Sequence, residues 1–195
     1  MASNHTTNYQ LCQWEAADKV LRTDFNQDNA KIDAALAAIA AGNKLVKLAE
    51  LVTAQDMQQV NLVLPEDDWT NYTQLRLNLD ATTSGYSIYI RLNGLTTDSY
   101  HTLTTNNSVS GLGTYLIRLP VGGAGVSADG FFAPFSQGQE TCAFFQGIGY
   151  SGQDFHRWPS AGRAPIPFAS LHTLNLYSDG DIEAGSRFSL YGLLR

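Results

Sequence analysis

Charged side chains are scarce in this sequence: they make up 15% of its 195 residues, against about 25% in an ordinary globular protein. The apolar fraction, 44%, is ordinary, so Thr, Ser, Asn, Gln and Gly replace the missing charge, as in turns and polar strand faces. Lys and Arg together number 12 and form no run, and the net charge is −6 with a pI near 5.0. That balance excludes the concentrated basic footprint of a nucleic-acid binder. No apolar run approaches the ~18 residues of a membrane span, so no membrane insertion is expected. Met1-Ala2-Ser3-Asn4-His5 has neither the basic nor the apolar region of a secretory leader, and synthesis in a cytoplasm without standard export is expected. The only cysteines, Cys12 and Cys142, lie far apart, and two free thiols are the expectation in that setting.

Recognisable catalytic patterns are missing too. The histidines His5, His101, His156 and His172 have no His or Cys partner three to five residues away, and there is no CxxC, HExxH or EF-hand pattern. Gly122-Gly123-Ala124-Gly125 is followed by no Lys-Ser/Thr and reads as a turn. The acids gather in turns: Glu66, Asp67 and Asp68 in one, Asp179, Asp181 and Glu183 in another, the second only a weak candidate for calcium. No metal, no cofactor and no enzymatic activity are therefore expected.

What is present divides at about residue 43. Residues 1–13 are polar and aperiodic, an extended arm. Thr23 or Asp24 can cap a helix, the alanine-rich run from Ala34 to Ala41 propagates it, and Gly42 stops it. Phe25, Asn29, Ile32, Leu36, Ile39 and Asn43 repeat with alternating four–three spacing, the seam of a coiled coil with two polar layers. Such a helix can self-associate or pack on its own domain, and fewer than three heptads leave both readings open.

From residue 44 the texture changes. Leu45, Leu48, Leu51, Val52 and Met57 read as a connector with one short strand. Beyond Val60, period-two alternation dominates: Leu75, Leu77 and Leu79 against Arg76, Asn78 and Asp80, then Ile88, Ile90 and Leu92 against Tyr89 and Arg91. Further strands are expected at Tyr100–Thr104, Thr114–Leu119, Thr141–Tyr150, Leu171–Tyr177 and Arg187–Leu194. The fold class is mainly β: an N-terminal helix (1–43) followed by a jelly-roll-like antiparallel β-sandwich (44–195). Val121–Gly130, rich in Gly and Ala, reads as a loop. Ser151–Pro167, with Trp158 and three of the six prolines, reads as a long ordered loop, the sort of segment that carries function. Within it Asp154, Phe155, His156, Arg157 and Trp158 sit together, aromatic faces beside hydrogen-bonding groups, a composition suited to stacking and bonding a sugar. The same aromatics could equally plug the end of the core.

The string Trp14-Glu15-Ala16-Ala17-Asp18-Lys19-Val20, followed by Asp24-Phe25-Asn26 and Lys31-Ile32-Asp33-Ala34-Ala35-Leu36, resembles the opening segment of tail-fibre and related appendage proteins in phages and prophages of Gram-positive bacteria. The resemblance covers about 30 residues. It implies a virion structural protein, often a homotrimer, docked onto other virion proteins through residues 1–43, whose sandwich faces outward and can contact host-surface glycan. The segment Ile182–Gly192 is more weakly similar to the last strand of such sandwiches. The alternatives are a stand-alone carbohydrate-binding module and a sandwich-fold glycoside hydrolase or lyase, the latter requiring two carboxylates in one cleft.

Overall fold

The computed structural model describes residues 2–42, 45–65, 71–103, 109–121, 125–151 and 154–195; side chains at 40–42, 109–111, 150–151 and 154–156 are excepted. The chain separates into two compact units, Met1–Lys44 and Leu45–Arg195. Among the described residues no helix is long and apolar enough to cross a membrane.

The first unit is an arm and a helix. Strands β1 (Asn4–His5) and β2 (Cys12–Gln13) pair antiparallel, and α1 spans Arg22–Gly42. The expected cap is displaced. Asp24 and Thr23 lie inside the first turn, and it is the Leu21 carbonyl that accepts the N–H groups of Asp24 and Phe25 at 3.1 and 3.3 Å. Asp24 thus serves the positive helix end by charge rather than as a cap. The helix runs to Gly42.

The second unit is an antiparallel sandwich of two sheets. Its strands are β3 (Leu45–Val52), β4 (Met57–Val63), β5 (Tyr72–Thr82), β6 (Ser87–Leu92), β7 (Tyr100–Leu103), β8 (Val109–Gly113), β9 (Ile117–Pro120), β10 (Gly125–Phe135), β11 (Glu140–Ser151), β12 (Asp154–Ala164), β13 (Thr173–Ile182) and β14 (Arg187–Leu194). The large sheet runs β3-β14-β5-β10-β11-β12-β7-β8 and the small one β4-β13-β6-β9. Alternation does the layering. Leu75, Leu77 and Leu79 of the large sheet face Ile88, Ile90, Leu92, Leu174 and Leu176 of the small one, and all are buried. Their neighbours in sequence point outward to solvent.

Two expected loops are strands. Val121–Gly130 gives way at Gly125 to β10, which pairs with β5 on one side and β11 on the other. Its small residues answer to packing. Gly130 stands opposite Phe145, and a methyl built there would overlap the Phe145 ring, which packs edge-on against Phe132 at 5.3 Å. The long loop expected over 151–167 is replaced by β12, paired with β11 from Ser151↔Asp154 to Thr141↔Ala164. On its other side, among the described residues, β12 meets β7 at Ala161–Arg163. The connector expected after residue 44 holds an eight-residue strand, β3, along the edge of the large sheet. The acids Glu66, Asp67 and Asp68, together with Trp69, Asn43 and residues 122–124, lie outside the described residues.

Candidate functional site

Strand pairing carries outward side chains of distant segments into rows across the large sheet. One row reads Glu50, Ser189, Asn78, Asp129, Gln146 and Pro159; the next reads Val52, Arg187, Asp80, Ser127, Ile148 and Arg157. Between them lies an open cleft of about 590 Å³, lined by Asn78, Asp80, Ser127, Asp129, Gln146 and Arg157 among others. The hollow continues past Asp80 and Ser127 toward Thr82 and Gly125.

The groups in this cleft are hydrogen-bonding ones, partly pinned by each other. Arg76 holds Asp129 in a fork-to-fork pair, Nε–Oδ1 2.8 Å and Nη2–Oδ2 2.7 Å, and the carboxylate raises the guanidinium pKa above its usual value. Glu50 receives Lys47 at 2.6 Å and the Ser189 hydroxyl at 3.1 Å, and its carboxyl sits below the ordinary range because those bonds favour the charged form. Arg157 Nη2 donates to Gln146 Oε1 at 3.3 Å. Asp80 is different: among the described residues it has no hydrogen-bond or ion-pair partner, and it stands between Arg187 and Ser127 on the neighbouring strands. One row farther along the sheet, the Phe131 and Phe144 rings pair at 6.0 Å and Phe144 is exposed. The face thus offers carboxylate, amide, hydroxyl and guanidinium groups beside an apolar ring, all on rigid strands.

Of the expected cluster at 154–158, Arg157 and Trp158 have described side chains, and these two part. Consecutive strand residues alternate between faces, so Arg157 points outward to the cleft while Trp158 turns inward, its Nε1 lying 3.4 Å from where a methyl on Gly149 would stand. Asp154, Phe155 and His156 open β12, and their side chains are outside the described residues. Asn78, Asp80, Ser127, Asp129 and Gln146 were not singled out as a site from sequence; the available signal was their polar place in each alternation. The weak calcium candidate is used locally: Asp179 Oδ1 accepts the N–H groups of Tyr86 and Ser87 at 2.7 and 3.0 Å. Among the described residues no three His, Cys, Asp or Glu side chains gather as for a metal ion.

On α1 the seam residues are open to solvent: Phe25 is 51% exposed, Ile32 43%, Leu36 60% and Ile39 60%, with Asn29 exposed among them. The residues that carry the family resemblance make the contacts of the arm. Trp14 stacks on Phe25 at 5.3 Å and 17°. Asp18 accepts from the Ser3 and Glu15 amides at 2.9 and 2.8 Å. Nearly two turns into the helix, Asp28 accepts the Cys12 amide at 2.8 Å, and Lys31 bonds to it and to the Gln10 carbonyl. Both cysteines are free thiols.

No protein-family model matches this sequence, and no curated protein does. Among solved structures the chain is similar to peanut lectin with a nine-residue peptide, at 7% identity and a TM-score of 0.32 over 79% of this chain and 94% of that one. It is also similar to arcelin-5, a lectin-like defense protein from Phaseolus vulgaris (10% identity, TM-score 0.19, 78% and 93% covered), and to lectin UEA-II complexed with galactose (10%, 0.17, 76% and 92%). Values this low do not assign the chain to that group.

Proposed function

We propose that this chain is a non-enzymatic virion structural protein, a tail or baseplate fibre or head-decoration subunit, whose sandwich binds glycan through the outer face of its large sheet. We read the sandwich as jelly-roll-like, since β3, β4 and β5 pair with β14 and β13 from the other end of the chain. The observation that carries the binding reading is the cleft around Asp80. A carboxylate left without a partner, among amides and hydroxyls, can accept two vicinal sugar hydroxyls, with Phe144 on the same face to take the apolar side of a pyranose. The virion reading rests on residues 11–36, in which Trp14 stacks on Phe25 and the Cys12 amide meets Asp28, tying arm to helix. The exposed four–three seam supports assembly as a homotrimer, and residues 1–43 would be the part docked to other virion proteins.

A hydrolase needs two carboxylates facing one cleft, and Asp80 and Asp129 stand on adjacent strands there. Both oxygens of Asp129 are already engaged by Arg76, so the pair favours binding over chemistry. Calorimetric titration with a panel of neutral di- and trisaccharides tests the proposal, with reducing-end release followed in the same samples. Binding in the millimolar range or tighter, lost in Asp80→Ala and in Asn78→Ala, is the expected result. Absence of any binding at about 10 mM, roughly the weakest affinity of functional use, refutes glycan contact at this face. Sugar release abolished by Asp80→Asn would establish the hydrolase instead.

A further inference from the structure

The opposite face of the sandwich carries a second cluster that the cleft does not involve. On the outside of the small sheet, Tyr177 of β13 stacks on Tyr89 of β6 at 5.0 Å and 20°, and Tyr115, just before β9, tilts against Tyr89 at 4.9 Å. The Arg91 guanidinium lies over the Tyr177 ring with its central carbon 3.9 Å from the ring centroid. Arg118 of β9 stands directly across from Tyr89 and so diagonally from Arg91. None of these rings serves the core, because the inward positions of the same strands, Ile88, Ile90, Leu174, Leu176, Ile117 and Leu119, fill it.

The two arginines are held by one nitrogen each. Arg91 Nε donates to the Thr114 carbonyl at 2.7 Å and Arg118 Nε to the Ser87 hydroxyl at 3.1 Å. These bonds anchor both guanidinium groups, the Tyr177 ring fixes the plane of Arg91, and the Nη edges are left with no hydrogen-bond or ion-pair partner among the described residues. No acid occurs in β4, β6 or β9. Those of β13, Asp179 and Asp181, lie at its far end, and Asp179 is occupied by the Tyr86 and Ser87 amides. A pre-oriented guanidinium pair matches a carboxylate or phosphate oxygen pair, and tyrosine hydroxyls at its side match sugar hydroxyls.

We propose that the outer face of the small sheet, built on Arg91, Arg118, Tyr89, Tyr115 and Tyr177, is a second carbohydrate site that takes a sugar bearing an oxyanion, the charge seated between the two guanidinium groups. It differs from the cleft in the group left without a partner: there the Asp80 carboxylate, which repels such a ligand, here the guanidinium edges of Arg91 and Arg118. The proposal stands whether or not the cleft binds neutral glycan.

The experiment is titration of the full chain with trigalacturonate, with glucose 6-phosphate and with neutral galactotriose, followed by backbone amide NMR shifts. The expected result is binding of at least one anionic probe, with shifts at β6, β9 and β13, and galactotriose weaker by tenfold or more at this face. Arg91→Gln and Arg118→Gln should each weaken the anionic probe at least tenfold, while Asp80→Ala leaves it within twofold. Arg118 is exposed, so its variant reports even if Arg91→Gln disturbs the tyrosine stack. Trigalacturonate alone binding identifies the oxyanion as a carboxylate, glucose 6-phosphate alone as a phosphate, and either upholds the site. Failure of both anions to bind, equal binding of galactotriose, indifference to both arginine changes, or shifts confined to the cleft strands would overturn it.

Discussion

Gly130 explains why a central strand hides behind a loop-like sequence, and the explanation can be put to a quantitative test. Gly130 and Phe145 face each other on β10 and β11, and both are buried, the ring with 0% exposure. In Gly130→Ala the new methyl occupies space that the ring holds, so either the ring or the strand must move. Overpacking of this kind costs about 1–3 kcal/mol. Phe145→Ala removes the ring and should cost about 3–5 kcal/mol. If the overlap is real, the two changes relieve each other, because the methyl then enters the space the ring has vacated. The double variant should fall short of the sum by at least about 1 kcal/mol, within the usual range for residues in contact. Urea unfolding of the full chain, read on the strand signal in the far ultraviolet, measures all four corners of the cycle. For a unit of this size about 1 kcal/mol corresponds to 2–4 °C in Tm, so thermal melts give an independent reading. A neutral Gly130→Ala, or strict additivity in the double variant, would refute the packing account.

Three further outcomes follow from the same geometry. Leu36→Asp places one carboxylate from each chain at a single layer of the proposed seam, a cost on the order of several kcal/mol per ion if the layer is buried, so light scattering should show the proposed trimer reduced to monomers; an unchanged mass would dismiss the seam. Burial raises the phenol pKa of both Tyr100 and Tyr177. The unfolded chain therefore loses those protons first, and stability should fall as pH rises beyond about 10, the ordinary tyrosine value; a 295 nm titration in which Tyr100→Phe and Tyr177→Phe fail to remove the latest-ionising groups would contradict this. Burial pushes the Asp28 carboxyl upward, but hydrogen bonds from Cys12 and Lys31 outweigh it and hold the group below its usual value. Its contribution is present above the ordinary aspartate pKa of about 4 and lost as pH falls through the lower folded value, so the Cys12 amide should lose its protection relative to the intrinsic exchange rate in acid, and at neutral pH in Asp28→Asn.

The sequence made the strands with clean alternation legible. Leu75–Leu79, Ile88–Leu92 and Arg187–Leu194 announce a buried face in every second residue, and the helix announces itself by alanine content. What stayed hidden has a common physical cause. In β10 and β12 the inward positions include Gly130 and Gly162, where the Phe145 ring or the Leu116 carbonyl occupies the space a side chain would need. Such positions look like turn residues when read without their partners. The cleft was hidden for a different reason: Asn78, Asp129 and Gln146 become neighbours only through register, whereas Arg157 and Trp158, neighbours in sequence, are dealt to opposite faces by the strand they share.

The position of β14 has a consequence for how the molecule is made. It lies between β3 and β5, and Phe188 and Leu190, with 0% exposure, complete the core from the last eight residues of strand. The large sheet cannot join its first strand to its third until those residues have left the ribosome, so the sandwich has no stable N-terminal half. Contacts that span nearly a whole domain close slowly, whereas α1 needs only its own length. A growing chain would thus carry the whole of α1 while the domain behind it is still open. Any contact made between chains at that moment ties together unfinished sandwiches, and emergence of β14 becomes the step that decides between orderly maturation and aggregation.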